Sequence, residues 1–202
     1  MDIDLLEKIF PQIPQNDKLE YDQEGLWSIT HPIEANKITN IIINFLKKKY
    51  NDNLKPNIVI TDTTAGLGGN TISFSNNFYK VNSIEICEKR FEMLKNNMEI
   101  YNFTNLKLYN NNFLDIIEQL KQDVIFIDPP WGGPDYKLKK KVNISIDGIE
   151  LHKIVNNLYG NCKLVCLKLP KNFNVDEFVS NIDYSVYKYN VKNLMILIVD
   201  IS

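Results

Sequence analysis

Apolar residues recur at helical spacing near the N-terminus and then gather into short unbroken runs. Asp4–Phe10 is a short helix candidate, followed by a proline-broken loop. In "IEANKITNIIINFLKKKY", Ile33–Tyr50, apolar positions repeat at helical spacing before a lysine-rich end, which predicts a long amphipathic helix. Beyond it the pattern changes. Asn57–Asp62, Lys80–Glu85, Leu106–Tyr109, Asp123–Asp128 and Cys162–Leu169 read as strands, each separated from the next by a helix-length segment. That alternation predicts an α/β fold whose parallel sheet carries helices on both faces. The end differs, because "DYSVYKY" and "LMILIVDIS" are joined only by the short "NVKN". A terminal hairpin follows, placing one antiparallel strand in a mostly parallel seven-stranded sheet.

Composition narrows the setting. A chain of 202 residues with 44% hydrophobic and 24% charged positions is expected to bury one good core as one domain. No repeat, low-complexity block or linker divides it. No apolar run approaches the length of a membrane-spanning helix, and "MDIDLLEKIF" is acidic where a signal peptide would be basic, so an intracellular protein, cytoplasmic or nuclear, is expected; a monomer is also expected. Three cysteines, with Cys162 and Cys166 in one strand, read as reduced core residues. Neither they nor His31 and His152 have a metal-ligand spacing, so no metal is expected. The net charge of −2 argues against a long electrostatic footprint on nucleic acid but leaves room for a small anionic ligand or an RNA end.

After the first strand stands "DTTAGLGGNT", a glycine-rich turn feeding a helix. Glycines there admit close backbone approach to a ligand at the carboxyl ends of the strands. The third glycine of the dinucleotide fingerprint would fall at Thr71, and no P-loop lysine follows. The second strand ends in Glu85, placed to accept both hydroxyls of a ribose. A ribose carboxylate without a pyrophosphate turn fits a nucleoside cofactor lacking phosphates, S-adenosylmethionine.

The fourth strand ends in "DPPWGGPDY", Asp128–Tyr136. The prolines must stop the strand, leaving the tryptophan at the end of the sheet. Methylating an exocyclic amine requires its delocalised lone pair to be localised and aimed. Asp128 and the carbonyl of Pro129 can accept hydrogen bonds from such an amine, while Trp131 offers a face for the base.

With "EGLWSIT", "DTTAGLGGNTISF", "NNMEIY" and "DPPWGGPDY" in view, the chain resembles the trimethylguanosine synthase family of RNA cap guanine-N2 methyltransferases, from about Lys18 onward. The resemblance implies a Rossmann-like class I enzyme that methylates N2 of a 7-methylguanosine cap, giving di- or trimethylguanosine. It implies that Asp62, Gly66 and Glu85 hold S-adenosylmethionine, with Ser28 and Thr30 closing over it. On this reading residues 1–50 are a helical segment over the active site and 51–202 the core. Trp131 would stack on 7-methylguanine, Asn97 and Pro129 would position it, and Tyr136, Lys171 and Lys192 would bind cap phosphates.

Three departures stand out. Asp128 replaces a common serine, Asn112 replaces an aspartate that accepts from the adenine amine, and Lys171 replaces an arginine. The chain begins too late for the basic segment of longer relatives, with Lys8 a candidate substitute. "KLKKK", Lys137–Lys141, reads as a solvated loop rather than an RNA guide. Two alternatives stay open: an adenine-N6 or internal guanine-N2 methyltransferase of RNA or DNA, and a cap-binding module with a degenerate cofactor site.

Overall fold

The computed structural model describes residues 3–50 and 57–202, with the side chains of 3, 4 and 134 left aside. The expected boundary after residue 50 falls on residues outside that description. Three helices lead: α1 (Ile3–Ile9), α2 (Gln23–Ser28) and α3 (Pro32–Lys49). Asp22 caps α2 by accepting from the N–H of Gly25, and α3 starts on a proline whose missing N–H costs nothing there.

Strands and helices then alternate as β1 (Val59–Asp62), α4 (Gly69–Ser75), β2 (Lys80–Ile84), α5 (Glu88–Tyr101), β3 (Leu106–Tyr109), α6 (Phe113–Ile116) and β4 (Val124–Ile127). A two-residue-strand hairpin follows, β5 (Ser145–Ile146) with β6 (Ile149–Glu150), turned by Asp147 and Gly148 at positive φ. The chain ends with α7 (Leu151–Asn157), β7 (Leu164–Pro170), α8 (Val175–Ser180), β8 (Ser185–Val191) and β9 (Leu194–Asp200). Among the described residues the main sheet has the order β3-β2-β1-β4-β7-β9-β8, with β9 antiparallel to both its neighbours. The predicted architecture is present. The predicted "NVKN" connection shortens to Lys192 and Asn193, because Lys192 turns the chain at φ 50°.

The central strands are apolar on both faces because each face meets its own layer. Val124 and Phe126 of β4 join Ile38, Ile42, Phe45 and Phe74 from α3 and α4. Ile125 and Ile127 point the other way, among Phe113, Val155 and Phe178 from α6, α7 and α8. A third cluster joins Leu6, Ile9, Phe10 and Leu19 to Leu67, Leu94 and Met98, so the N-terminal segment packs on the glycine turn and α5. No helix of the described residues is long and apolar enough to cross a membrane.

The order reverses between β1 and β4, whose connections run to opposite sides of the sheet. Ligands of open α/β sheets bind at the carboxyl ends of such a switch point. There the ends of β1, β2, β4 and β7 bring together the residues singled out above.

Candidate active site

At the end of β1, Asp62 is 1% exposed. Its Oδ2 accepts from Thr71 at 2.8 Å, while the buried Oδ1 has no partner among the described residues. Burial, with Asp128 and Glu85 nearby, pushes this carboxyl up to about 7. Beside it Gly66 takes φ 55°, and a side chain built there would meet open space. Gly68 is needed for its backbone, since its φ is 100°; a Cβ there would meet the Met98 methyl at 2.5 Å, the movable end of a flexible side chain.

Glu85 follows β2. Its Oε2 accepts from Gly66 N–H at 2.8 Å and its Oε1 from Cys87 N–H at 2.9 Å. Arg90 stands behind it, 3.6 Å from Oε1, and reaches Glu24 of α2 at 2.7 Å. Each carboxylate oxygen keeps lone-pair capacity for a ribose hydroxyl. An orphaned buried acceptor, an open glycine turn and a second carboxylate fit a cationic nucleoside such as S-adenosylmethionine.

The N-terminal segment is stitched to this turn. Thr30 accepts from Asn70 at 2.9 Å, and a Cβ on Gly69 would meet the Thr30 carbonyl at 2.5 Å. The Ser28 hydroxyl donates back to the Glu24 carbonyl within α2 at 3.0 Å. Asn97 also has its polar atoms engaged away from any base. It is fully buried, accepts from Glu20 N–H at 2.7 Å, and donates to the Glu20 carbonyl at 2.9 Å and the Leu67 carbonyl at 3.3 Å. Its observed work is to clamp the N-terminal segment against α5.

Asn112 caps α6, its amide oxygen accepting from Leu114 N–H at 3.1 Å and its amide nitrogen donating to Asp147 at 2.7 Å. The oxygen expected to receive an adenine amine is therefore already shared with a helix N-terminus.

At the end of β4, Asp128 is anchored by its N–H on Thr64 at 3.0 Å. Its Oδ2 meets the ammonium of Lys168 at 2.5 Å, and among the described residues Oδ1 receives no hydrogen bond. Burial raises the Asp128 carboxyl above its ordinary range, and Lys168 pulls it back. Lys168 was missed in the sequence because it lies inside the apolar run of β7; that charge among "CLKLP" was the available signal. Its ammonium also stands over the Trp131 ring, 5.4 Å from the centroid. Trp131 packs edge to face on Tyr136, 5.1 Å between centroids, and its buried Nε1 has no partner among the described residues.

Lys171 follows β7 and is exposed. Lys192, in the β8–β9 turn at the same edge, pairs with Glu34 of α3 at 3.0 Å. Asn172 donates to the carbonyls of Tyr136 and Lys139, both at 2.8 Å, tying the loop after Trp131 to the end of β7. Lys8 lies with α1, where its carbonyl meets His31 at 3.1 Å.

A family model for RNA cap guanine-N2 methyltransferases matches residues 57–199. The chain belongs to that family. It is 33% identical over 213 residues to Uncharacterized protein L320 of Acanthamoeba polyphaga mimivirus, covering 95% of this chain and 83% of that protein. It is 27% identical over 167 residues to trimethylguanosine synthase of Schizosaccharomyces pombe, covering 79% of this chain and 66% of the yeast protein. A Streptococcus mutans protein solved in complex with SAH shares the fold, with TM-score 0.54, 16% identity, and 85% of this chain and 99% of that one covered. This member of the cap guanine-N2 family is thus a Rossmann-like methyltransferase that uses S-adenosylmethionine.

Proposed function

We propose that the chain transfers a methyl group to the exocyclic N2 amine of a 7-methylguanosine cap, on free cap nucleotide or capped RNA. The observation that carries this reading is the placement of Asp128, Pro129 and Trp131 on one strand end, beside Asp62 and Glu85. S-adenosylmethionine, when bound, supplies an electrophilic methyl group and a positive charge. Asp62, the Gly66 turn and Glu85 would hold it. Asp128 Oδ1 and the Pro129 carbonyl accept from the N2 amine, so that its lone pair is localised and aimed. As nitrogen gains the methyl group, the positive charge growing on it is met by the Asp128 carboxylate. The amine then loses a proton to water, and catalysis rests on positioning.

Trp131 gives the base its platform. A 7-methyl group makes guanine cationic, and an indole face attracts a cation by about 0.5–2 kcal/mol beyond stacking. Tyr136, Lys171 and Lys192 would meet the cap phosphates, Lys192 after exchanging its bond to Glu34. Mass spectrometry of 7-methyl-GTP incubated with enzyme and S-adenosylmethionine tests the reading: a mass gain of one or two methyl groups at N2 is expected.

One observation favours a second reading, methylation of an internal adenine or guanine. The Lys168 ammonium already occupies a position over the indole that a cationic base would seek. On that reading 7-methyl-GTP stays unchanged while an unpaired base within a polynucleotide is methylated.

A further inference from the structure

Lys168 has the surroundings of a core residue and the chemistry of a surface one. It is 5% exposed, in a strand whose other residues are buried and uncharged. An ammonium in such a place is costly unless paired, because burial removes it from water. Its partner is a carboxylate on the neighbouring strand, β4 and β7 being paired in parallel through Ile127 and Leu167.

Every charged group near Asp128 bears on why the pair exists. Asp62 at the end of β1 and Glu85 at the end of β2 add negative charge to the same strand ends, and Asp62 and Asp128 repel each other. Arg90 of α5 is committed to Glu85 and Glu24. From the loop after β4 come the uncharged Trp131 and Tyr136, with the Lys137 ammonium 5.8 Å from the centre of the Tyr136 ring. Among the described residues Lys168 is thus the cation paired with Asp128.

We propose that Lys168 is a positioning residue for methyl transfer, supplying the counter-charge that lets a third carboxylate stand beside Asp62 and Glu85. It holds Asp128 by Oδ2 and leaves Oδ1 to accept from the reacting amine. This assignment rests on Asp128 being the amine acceptor proposed above.

The pairing carries a trade-off. A bare carboxylate would offer the amine a stronger field, but burial favours its protonation, and a protonated acid no longer accepts as an anion. Lys168 weakens the field and preserves the ionised form. The 5.4 Å approach of its ammonium to Trp131 orients the indole in the same arrangement.

The test compares wild type, Lys168→Met, Lys168→Arg and Asp128→Asn/Lys168→Met. The acid limb of kcat is recorded at saturating S-adenosylmethionine, and Asp128 is titrated by carboxyl carbon NMR without substrate. Its resonance is identified by its loss in Asp128→Asn. In Lys168→Met the carboxyl titration and the acid limb should both move upward by at least one pH unit. At neutral pH kcat should fall at least tenfold and KM less than threefold. Lys168→Arg should keep the wild-type limb, and the double variant should be no slower than Asp128→Asn alone.

A Lys168→Met protein that binds S-adenosylhomocysteine normally, yet keeps the wild-type carboxyl titration, overturns the proposal. So does a loss confined to KM. The NMR titration needs no substrate, so a wild type inactive on 7-methyl-GTP would count against the proposed function without deciding the role of Lys168.

Discussion

At the end of β1, the Asp62 carboxylate meets a threonine hydroxyl and keeps one buried oxygen with no partner among the described residues, whereas at the end of β4 the Asp128 carboxylate meets an ammonium. They are acids on adjacent strand ends, Asp62 fully buried and Asp128 partly so, and both are raised by loss of water. The first is left wanting a cation and suits a cofactor that brings one. The second has its cation built in and suits a neutral amine whose charge appears only during transfer. On the proposed reading, one edge of one sheet separates holding a cofactor from aiming a substrate by where it places counter-charge.

Breaking the second half should cost most. Asp128→Asn keeps the shape but removes the anion that meets the growing charge, and should lower kcat about 100-fold or more while cap binding changes only a few-fold. Steady-state kinetics with 7-methyl-GTP reads this. Asp128→Ala is a poorer probe, since it takes the hydrogen-bond acceptor as well as the charge from the buried Lys168 ammonium, and breaking a buried pair costs about 3–5 kcal/mol in stability. Equal binding loss with unchanged kcat would make Asp128 structural.

Damage to the first half should appear in cofactor affinity instead. Glu85→Ala removes charge-assisted hydrogen bonds of about 1.5–3 kcal/mol each before water compensates, so calorimetry should find S-adenosylmethionine bound at least tenfold more weakly. An unchanged dissociation constant would move the ribose elsewhere.

A pH series sharpens the contrast. Because Asp62 titrates near 7 and the cofactor is cationic, binding favours the ionised acid, and affinity should fall by up to tenfold per pH unit below that value. Asp62→Asn should flatten this dependence. Stability carries the opposite sign. The folded chain holds this proton more tightly than the unfolded one, so the acid favours folding below its ordinary range and loses that contribution as pH rises to about 7. Calorimetry and thermal melts from pH 5.5 to 8.5, a range of about 3 units around that midpoint, would show both trends.

The smallest effect is expected at the rim, where Lys171→Ala should raise KM only a few-fold, and less at high salt, because an exposed lysine is a screened point charge.

The strands were legible because each apolar run is sandwiched between two helical layers, and the meeting of Gly66 with Glu85 because both stand at ends of neighbouring parallel strands. The β5–β6 hairpin was missed although Asp147-Gly148 is a hairpin signal, its strands being only two residues each. Asn97 was assigned to the base, but the side chain is occupied by Glu20, 77 positions away, a pairing that no local pattern encodes. Lys168 was hidden differently. A strand is recognised by its apolar majority, and the one charge that broke the run was absorbed into the pattern.

The account stands or falls on Trp131 reading a cationic base. The most direct measurement is the ratio of kcat/KM for 7-methyl-GTP over GTP in wild type, Trp131→Phe and Trp131→Ala. Wild type should strongly prefer 7-methyl-GTP, the phenylalanine variant should keep part of that preference, and the alanine variant should lose more than tenfold in kcat/KM with cofactor affinity nearly intact. Equal use of both nucleotides by wild type, or full cap methylation by the alanine variant, would contradict it and favour an internal base as the substrate.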